Sequence, residues 1–67
     1  MLIIVEGKII NPREVSSIDV VENYTFFVNI IMNNGSKITI QEFNENTDAK
    51  AYSRTLMNTI NSNIMEG

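Results

Sequence analysis

The chain has no cysteine, no histidine and no tryptophan. Without thiols there is no disulfide, and without thiols or imidazoles the usual transition-metal ligands are gone. Only carboxylates remain, which suit a hard cation such as calcium. The same absences weaken any case for nucleophilic catalysis, because hydroxyls are plentiful but no imidazole stands ready to activate one. Basic residues are few: Lys8, Arg13, Lys37, Lys50 and Arg54, against eight acidic ones, for a net charge of −3. They are scattered, whereas a nucleic-acid interface needs a clustered basic stripe, so the composition argues against nucleic acid as a partner. The acidic residues are equally dispersed, and too few for a mimic of DNA. No apolar run approaches the roughly 20 residues of a membrane span. The start "MLIIVEGK" has no basic n-region and no small-residue cleavage site, so it reads as a strand and not as a signal peptide. The expectation is a cytoplasmic protein that neither enters a membrane nor carries a cofactor.

With 67 residues, one domain spanning 1–67 is expected. A chain this short buries only about 60% of the surface it exposes when unfolded. Small scaffolds compensate with disulfides, a metal or a partner subunit. The first two are excluded or weakly supported here, which leaves self-association.

What is present is a run of short strand patterns followed by one helix pattern. "LIIV" (2–5) is rich in branched residues and reads as a buried strand, Glu6-Gly7 as a turn, and "KII" (8–10) as a short returning strand. In "NPRE", Asn11 can cap, Pro12 suits a first helical position and Glu14 stands three residues after the cap. One short helical turn and a plain chain reversal are both compatible with it. "SSIDVVE" (16–22) places Ile18 and Val20 on one face. "TFFVNIIMN" (25–33) places Phe26, Val28, Ile30 and Met32 on one face and Phe27, Asn29 and Ile31 on the other. "KITIQEF" (37–43) alternates, with Ile38 and Ile40 apolar.

Register can be read from these faces. A two-residue Asn34-Gly35 loop would set Met32 against Lys37 and Asn29 against Ile40. A three-residue loop, Asn33-Asn34-Gly35, sets Ile30 against Ile38, Val28 against Ile40 and Met32 against Ser36, so the apolar faces coincide. That loop is a type I turn followed by a left-handed residue, the position Gly35 fills. A phosphate-binding loop would need a helix to follow, and here a strand follows. By the same logic a Glu22-Asn23-Tyr24 loop sets Val20 against Phe26 and Ile18 against Val28.

Ala49, Tyr52, Leu56, Ile60 and Ile64 form one helical stripe, preceded by possible caps at Asn44, Asn46 and Thr47. The last segment, "NSNIMEG", is polar and is expected to fray. The fold class is thus α+β, a small antiparallel sheet of four to five strands with one C-terminal helix packed on one face. The helix covers Ile18, Val20, Phe26, Val28, Ile30, Ile38 and Ile40.

The second sheet face has large apolar residues that one helix cannot also cover: Phe27, Ile31 and Phe43, with Tyr24, Thr25, Asn29, Thr39 and Gln41 as a polar rim. A contiguous patch of this kind marks an interaction surface. Subunit contact is the expected use, with a two-fold dimer as the default. The alternative is that the N-terminal hairpin folds over it. The paired carboxylates Glu42/Glu45 and Glu14/Asp19 read as solvated charge, so the chain is not expected to be an enzyme. The sequons at Asn23 and Asn34 read as accidental.

In plan the chain resembles two groups of small bacterial proteins. It is similar to phage- and prophage-encoded proteins with a small antiparallel sheet and one C-terminal helix, some of which inhibit or adapt host machinery, including anti-defence proteins. The order "EGK", "INPREVSSI", "NIIMNNGSKITIQE" also resembles small flagellar FlbD-type proteins, from which the chain departs in its longer C-terminal helix and longer apolar central strand. Scarce alanine (Ala49 and Ala51) beside abundant asparagine and isoleucine fits an AT-rich bacterial or phage genome. The expected function is a non-catalytic, self-associating protein that binds another protein, as an inhibitor or regulator of a host system. The alternatives are a nucleotide-binding protein with its site at a subunit interface, or a flagellar accessory factor.

Overall fold

The computed structural model describes residues 2–66. Along the chain run β1 (Ile3–Val5), β2 (Lys8–Ile10), a 3-10 turn (Pro12–Glu14), β3 (Val15–Asn23), β4 (Thr25–Met32), β5 (Lys37–Phe43) and α1 (Asn46–Glu66). Every strand pairing is antiparallel. The α+β class, the five strands and the C-terminal helix match the expectation, but the single sheet does not. The strands divide into a two-stranded unit, β1–β2, and a three-stranded sheet in the order β3-β4-β5. The break falls at "NPRE". Asn11 caps the turn, its Oδ1 accepting from the Arg13 N–H at 3.1 Å, while its carbonyl accepts from Glu14 N–H at 3.0 Å. Pro12 has no N–H for a ladder and is itself buried, so the chain turns away from β2 before β3 begins.

The β4–β5 connection is the expected one. Gly35 sits at φ +91, its N–H donates to the Met32 carbonyl at 2.9 Å, and Met32 N–H donates to the Ser36 carbonyl at 2.8 Å. Asn34 Oδ1 closes the loop by accepting from Ser36 N–H at 2.9 Å. Ile30 faces Ile38 as expected. The expected Val28–Ile40 pair does not form: Val28 faces Gln41, and Ile40 is the extra residue of a bulge. Beyond the bulge the side-chain parity is reversed. Phe43 faces Phe26 and packs on the helix side, its ring centroid 5.3 Å from that of Tyr52. Glu42 faces Phe27 on the opposite side.

The β3–β4 hairpin is slipped by two residues from the expected register. Val20 faces Val28, Ile18 faces Ile30, and the loop centres on Tyr24 at φ +63. A two-residue slip preserves which side chains point inward, so the apolar faces still coincide. A second bulge between Val15 and Ser17 lets Val15 point inward beside Met32.

The helix presents the expected stripe, with Ala49, Leu56 and Ile60 buried and Tyr52 and Ile64 packed beside them. Its first bond runs from Ala49 N–H to the Glu45 carbonyl at 3.2 Å. The helix continues through the segment expected to fray as far as Glu66; Gly67 lies outside the described residues. The N-terminal hairpin joins the same core through Val5 and Ile10, so it lies on the helix side of the three-stranded sheet and does not cover the second face.

Candidate interaction surface

The outer face of β3-β4-β5 is built in rows, because odd-numbered residues of the central strand point outward between their cross-strand partners. Val21, Phe27 and Glu42 form one row, Asp19, Asn29 and Thr39 the next, and Ser17, Ile31 and Lys37 the third. The middle row is polar, with one bond inside it and an ion pair to the third row. The Thr39 hydroxyl donates to Asn29 Oδ1 at 2.7 Å, and Lys37 Nζ lies 3.9 Å from Asp19 Oδ2. Asp19 Oδ1 is shielded from solvent without a hydrogen-bond partner. Asn29 is only 3% exposed although it belongs to this open face, since its neighbours in the rows above and below wall it in. At the edge the Thr25 hydroxyl donates to Glu42. A shallow depression of about 300 Å³ lies over this face, floored by Phe27, Asn29 and Thr39 and flanked by Val21, Asn23 and Lys37.

The structure therefore brings together Phe27, Ile31 and Asn29 from the expected surface, with Thr25 and Thr39 at its rim. It removes Phe43 to the helix side, for the reason given by the bulge. Tyr24 stands at the hairpin tip, fully exposed. Gly35 and Asn34 occupy the turn roles expected of them.

Two features escaped the sequence reading. The first is a second apolar surface on the N-terminal hairpin, where Leu2, Ile4 and Ile9 are 61%, 74% and 69% exposed. Its signal was present, since "LIIV" is apolar at both parities and only one parity can face the core. The second is a bond from the Tyr52 hydroxyl to Glu6 Oε1 at 3.2 Å, between residues 46 positions apart. The Tyr52 hydroxyl pKa is raised above its ordinary value, first by burial and then by the hydrogen bond to Glu6 and its negative charge.

Among the described residues no group of three or more carboxylates converges as a cation site would require, and no helix is long and apolar enough to cross a membrane. No protein-family model, curated protein or solved structure matches the chain.

Proposed function

We propose that the chain is a non-catalytic binding protein that self-associates through the outer face of β3-β4-β5 and acts on another protein as an inhibitor or regulator. One observation carries the first half. Both the helix and the N-terminal hairpin pack on the inner face, so among the described residues nothing covers Phe27 and Ile31. The polar row between them supports an intermolecular contact over an internal one. Subunit interfaces mix apolar anchors with bonded polar groups, and Asp19 with Lys37 gives the face both signs of charge for a two-fold copy to meet. The second half rests on the resemblance in plan to small phage-encoded sheet-plus-helix proteins; a gene neighbourhood of motility genes would favour a flagellar accessory factor instead.

Light scattering across micromolar concentrations tests self-association. A concentration-dependent mass approaching twice that of the chain is expected, and a monomer throughout would overturn it. The depression over Phe27 and Asn29 supports a second reading, a nucleotide bound between subunits, with the ring of Phe27 as a stacking platform and the Asn29 amide and Lys37 as polar contacts. A nucleotide-dependent thermal shift of several degrees, lost in Phe27→Ser, would favour this second reading.

A further inference from the structure

We infer that β1 is a docking edge for an extended segment of another protein, one that carries a lysine or arginine among branched aliphatic residues. The inference rests on reading the chain as a protein-binding module, but it uses a different surface from the one assigned to self-association.

The geometry begins at the turn. Glu6 and Gly7 sit at φ +49 and +77, the signature of a two-residue type I′ hairpin. Val5 then pairs with Lys8 and Ile3 with Ile10, and these are the pairs that exchange backbone hydrogen bonds. Between them Ile4 faces Ile9 in the alternate kind of pair, so the N–H and carbonyl of Ile4 point away from β2. Among the described residues no other backbone group bonds them. Along β1 runs a groove of about 260 Å³ between β1 and α1, lined by Ile4, Val5 and Glu6 on one side and by Tyr52, Thr55, Leu56 and Thr59 on the other. No residue of β2 lines it, so the free edge on this side belongs to β1.

An unpaired edge with no charge along its strand is a template for another strand. Edges that must stay free usually carry lysine or proline; β1 reads Ile3, Ile4, Val5 and has neither. The groove supplies apolar cover through Ile4 and Leu56. The Thr59 hydroxyl is already satisfied by the Thr55 carbonyl at 3.1 Å, so it makes no demand on an occupant.

Charge selects the occupant. Among the described residues, Glu6 is the single charged one of the groove wall. Its carboxylate accepts from the Tyr52 hydroxyl at 3.2 Å and remains exposed at the groove mouth. A glutamate there is not what the turn prefers, because the first central position of a type I′ turn favours the shorter asparagine and aspartate, or glycine. A cationic side chain from the added strand would complete it. A second copy of this chain would not: antiparallel pairing of two β1 strands centred on Ile4 sets Leu2 against Glu6 of the copy, and none of the described β1 residues is a cation.

The test uses the full ¹⁵N-labelled chain and two capped peptides, Val-Thr-Val-Lys-Val and the same sequence with Glu in place of Lys. The lysine peptide is expected to move the Ile4, Thr55 and Thr59 amide signals and to slow exchange at Ile4. It should bind roughly three- to tenfold more tightly than the glutamate peptide, the range for an exposed charge pair replaced by a repulsion. Glu6→Gln should erase that preference. Ile4→Pro removes the outward N–H without touching the β1–β2 ladder and should abolish binding, whereas Ile4→Ala, which keeps the N–H, should weaken it only partly. Should Ile4→Pro fail to fold, the Glu6→Gln comparison decides alone. Equal binding of the two peptides, no change at Ile4 with millimolar peptide, or Ile4 protection that grows with protein concentration in the absence of peptide would each overturn the inference. Light scattering on the same samples separates the two proposals: a dimer that ignores both peptides rejects the docking edge and leaves self-association standing.

Discussion

The two faces of β3-β4-β5 are made by the same three strands and the same alternation, yet they do different things. On the inner face Ile18, Ile30 and Ile38 lie side by side, Val20 meets Val28 and Phe26 meets Phe43, so apolar groups run on from strand to strand and α1 packs on them. On the outer face a polar row, Asp19, Asn29 and Thr39, separates Phe27 from Ile31. The inner face is a core, where burial of each aliphatic side chain contributes about 1.5–3 kcal/mol. The outer face keeps its own hydrogen bonds and leaves two half-buried apolar groups at a fixed spacing, which suits a surface that meets a matching one. Parity on a strand decides which residues share a face; continuity across the strands decides whether that face can become a core.

The largest effect that would break this comparison is on the inner side. Ile30 is fully buried, so Ile30→Ala should destabilise the subunit by about 2–5 kcal/mol. The whole chain is expected to have only on the order of 3–10 kcal/mol. Urea denaturation followed by far-ultraviolet circular dichroism should therefore show a midpoint well below that of the unsubstituted chain. A loss below about 1 kcal/mol would mean that the inner face is not the core it is taken to be.

Next comes the outer side. Phe27 and Ile31 are already half-buried within the subunit, so only part of their area remains for a partner to cover. In the proposed dimer, covering the rest of these two side chains would contribute about 1–2 kcal/mol per subunit, an upper figure. Phe27→Ser combined with Ile31→Ser should yield a folded monomer whose thermal midpoint no longer depends on concentration. Sedimentation equilibrium reads this directly, and a double variant that still associates would move the interface elsewhere.

A smaller effect sharpens the role of the turn that aligns both faces. A Cβ at Gly35 would meet nothing within 4 Å, so the cost of a side chain there is conformational and not steric crowding. Gly35→Val should cost roughly 1–2 kcal/mol and Gly35→Asn distinctly less, because asparagine tolerates a positive φ and a β-branched residue does not. Chemical denaturation of the pair is the measurement, and equal losses would show that the left-handed backbone is not what the glycine supplies.

The smallest effect lies at the junction of α1 with the N-terminal hairpin. Tyr52 has a raised hydroxyl pKa when folded, so its contribution is complete below the unfolded value of about 10.0 and is lost as pH rises through the folded value. Stability should fall with increasing pH above about 10. Glu6→Gln should make that fall shallower without removing it, since burial, the largest cause, persists. Thermal midpoints of the two proteins between neutral and strongly alkaline pH would show it, and parallel curves would mean that Glu6 does not act on Tyr52.

Much of this was present in residue order. The helix stripe from Ala49 to Ile64, the Gly35 turn and the inward set Val28, Ile30 and Ile38 follow from periods of 3.6 and 2, which are properties of the local backbone. Even the bulges had a signal. Val15 is odd-numbered while Ile18 and Val20 are even, and Ile38 and Ile40 are even while Phe43 is odd. Each change of parity marks the place where an extra residue must enter for both ends of the strand to face the core. Reading β5 as one unbroken alternation is what put Phe43 on the wrong face.

By itself, then, residue order determined the elements, the inward side chains of the two long hairpins up to their bulges, and the left-handed position of Gly35. Tertiary structure alone decided three things. It chose between β3–β4 registers two residues apart, which alternation cannot distinguish because both keep every side chain on its face. It separated β1–β2 from the larger sheet, through a buried proline and a capped turn. It also placed that hairpin on the helix side, although "LIIV" is apolar at both parities and fits the core either way round. In each case the local pattern is degenerate, and the choice belongs to long-range burial: Val5 and Ile10 enter the core with Leu56 and Ile60, leaving Leu2, Ile4 and Ile9 outside.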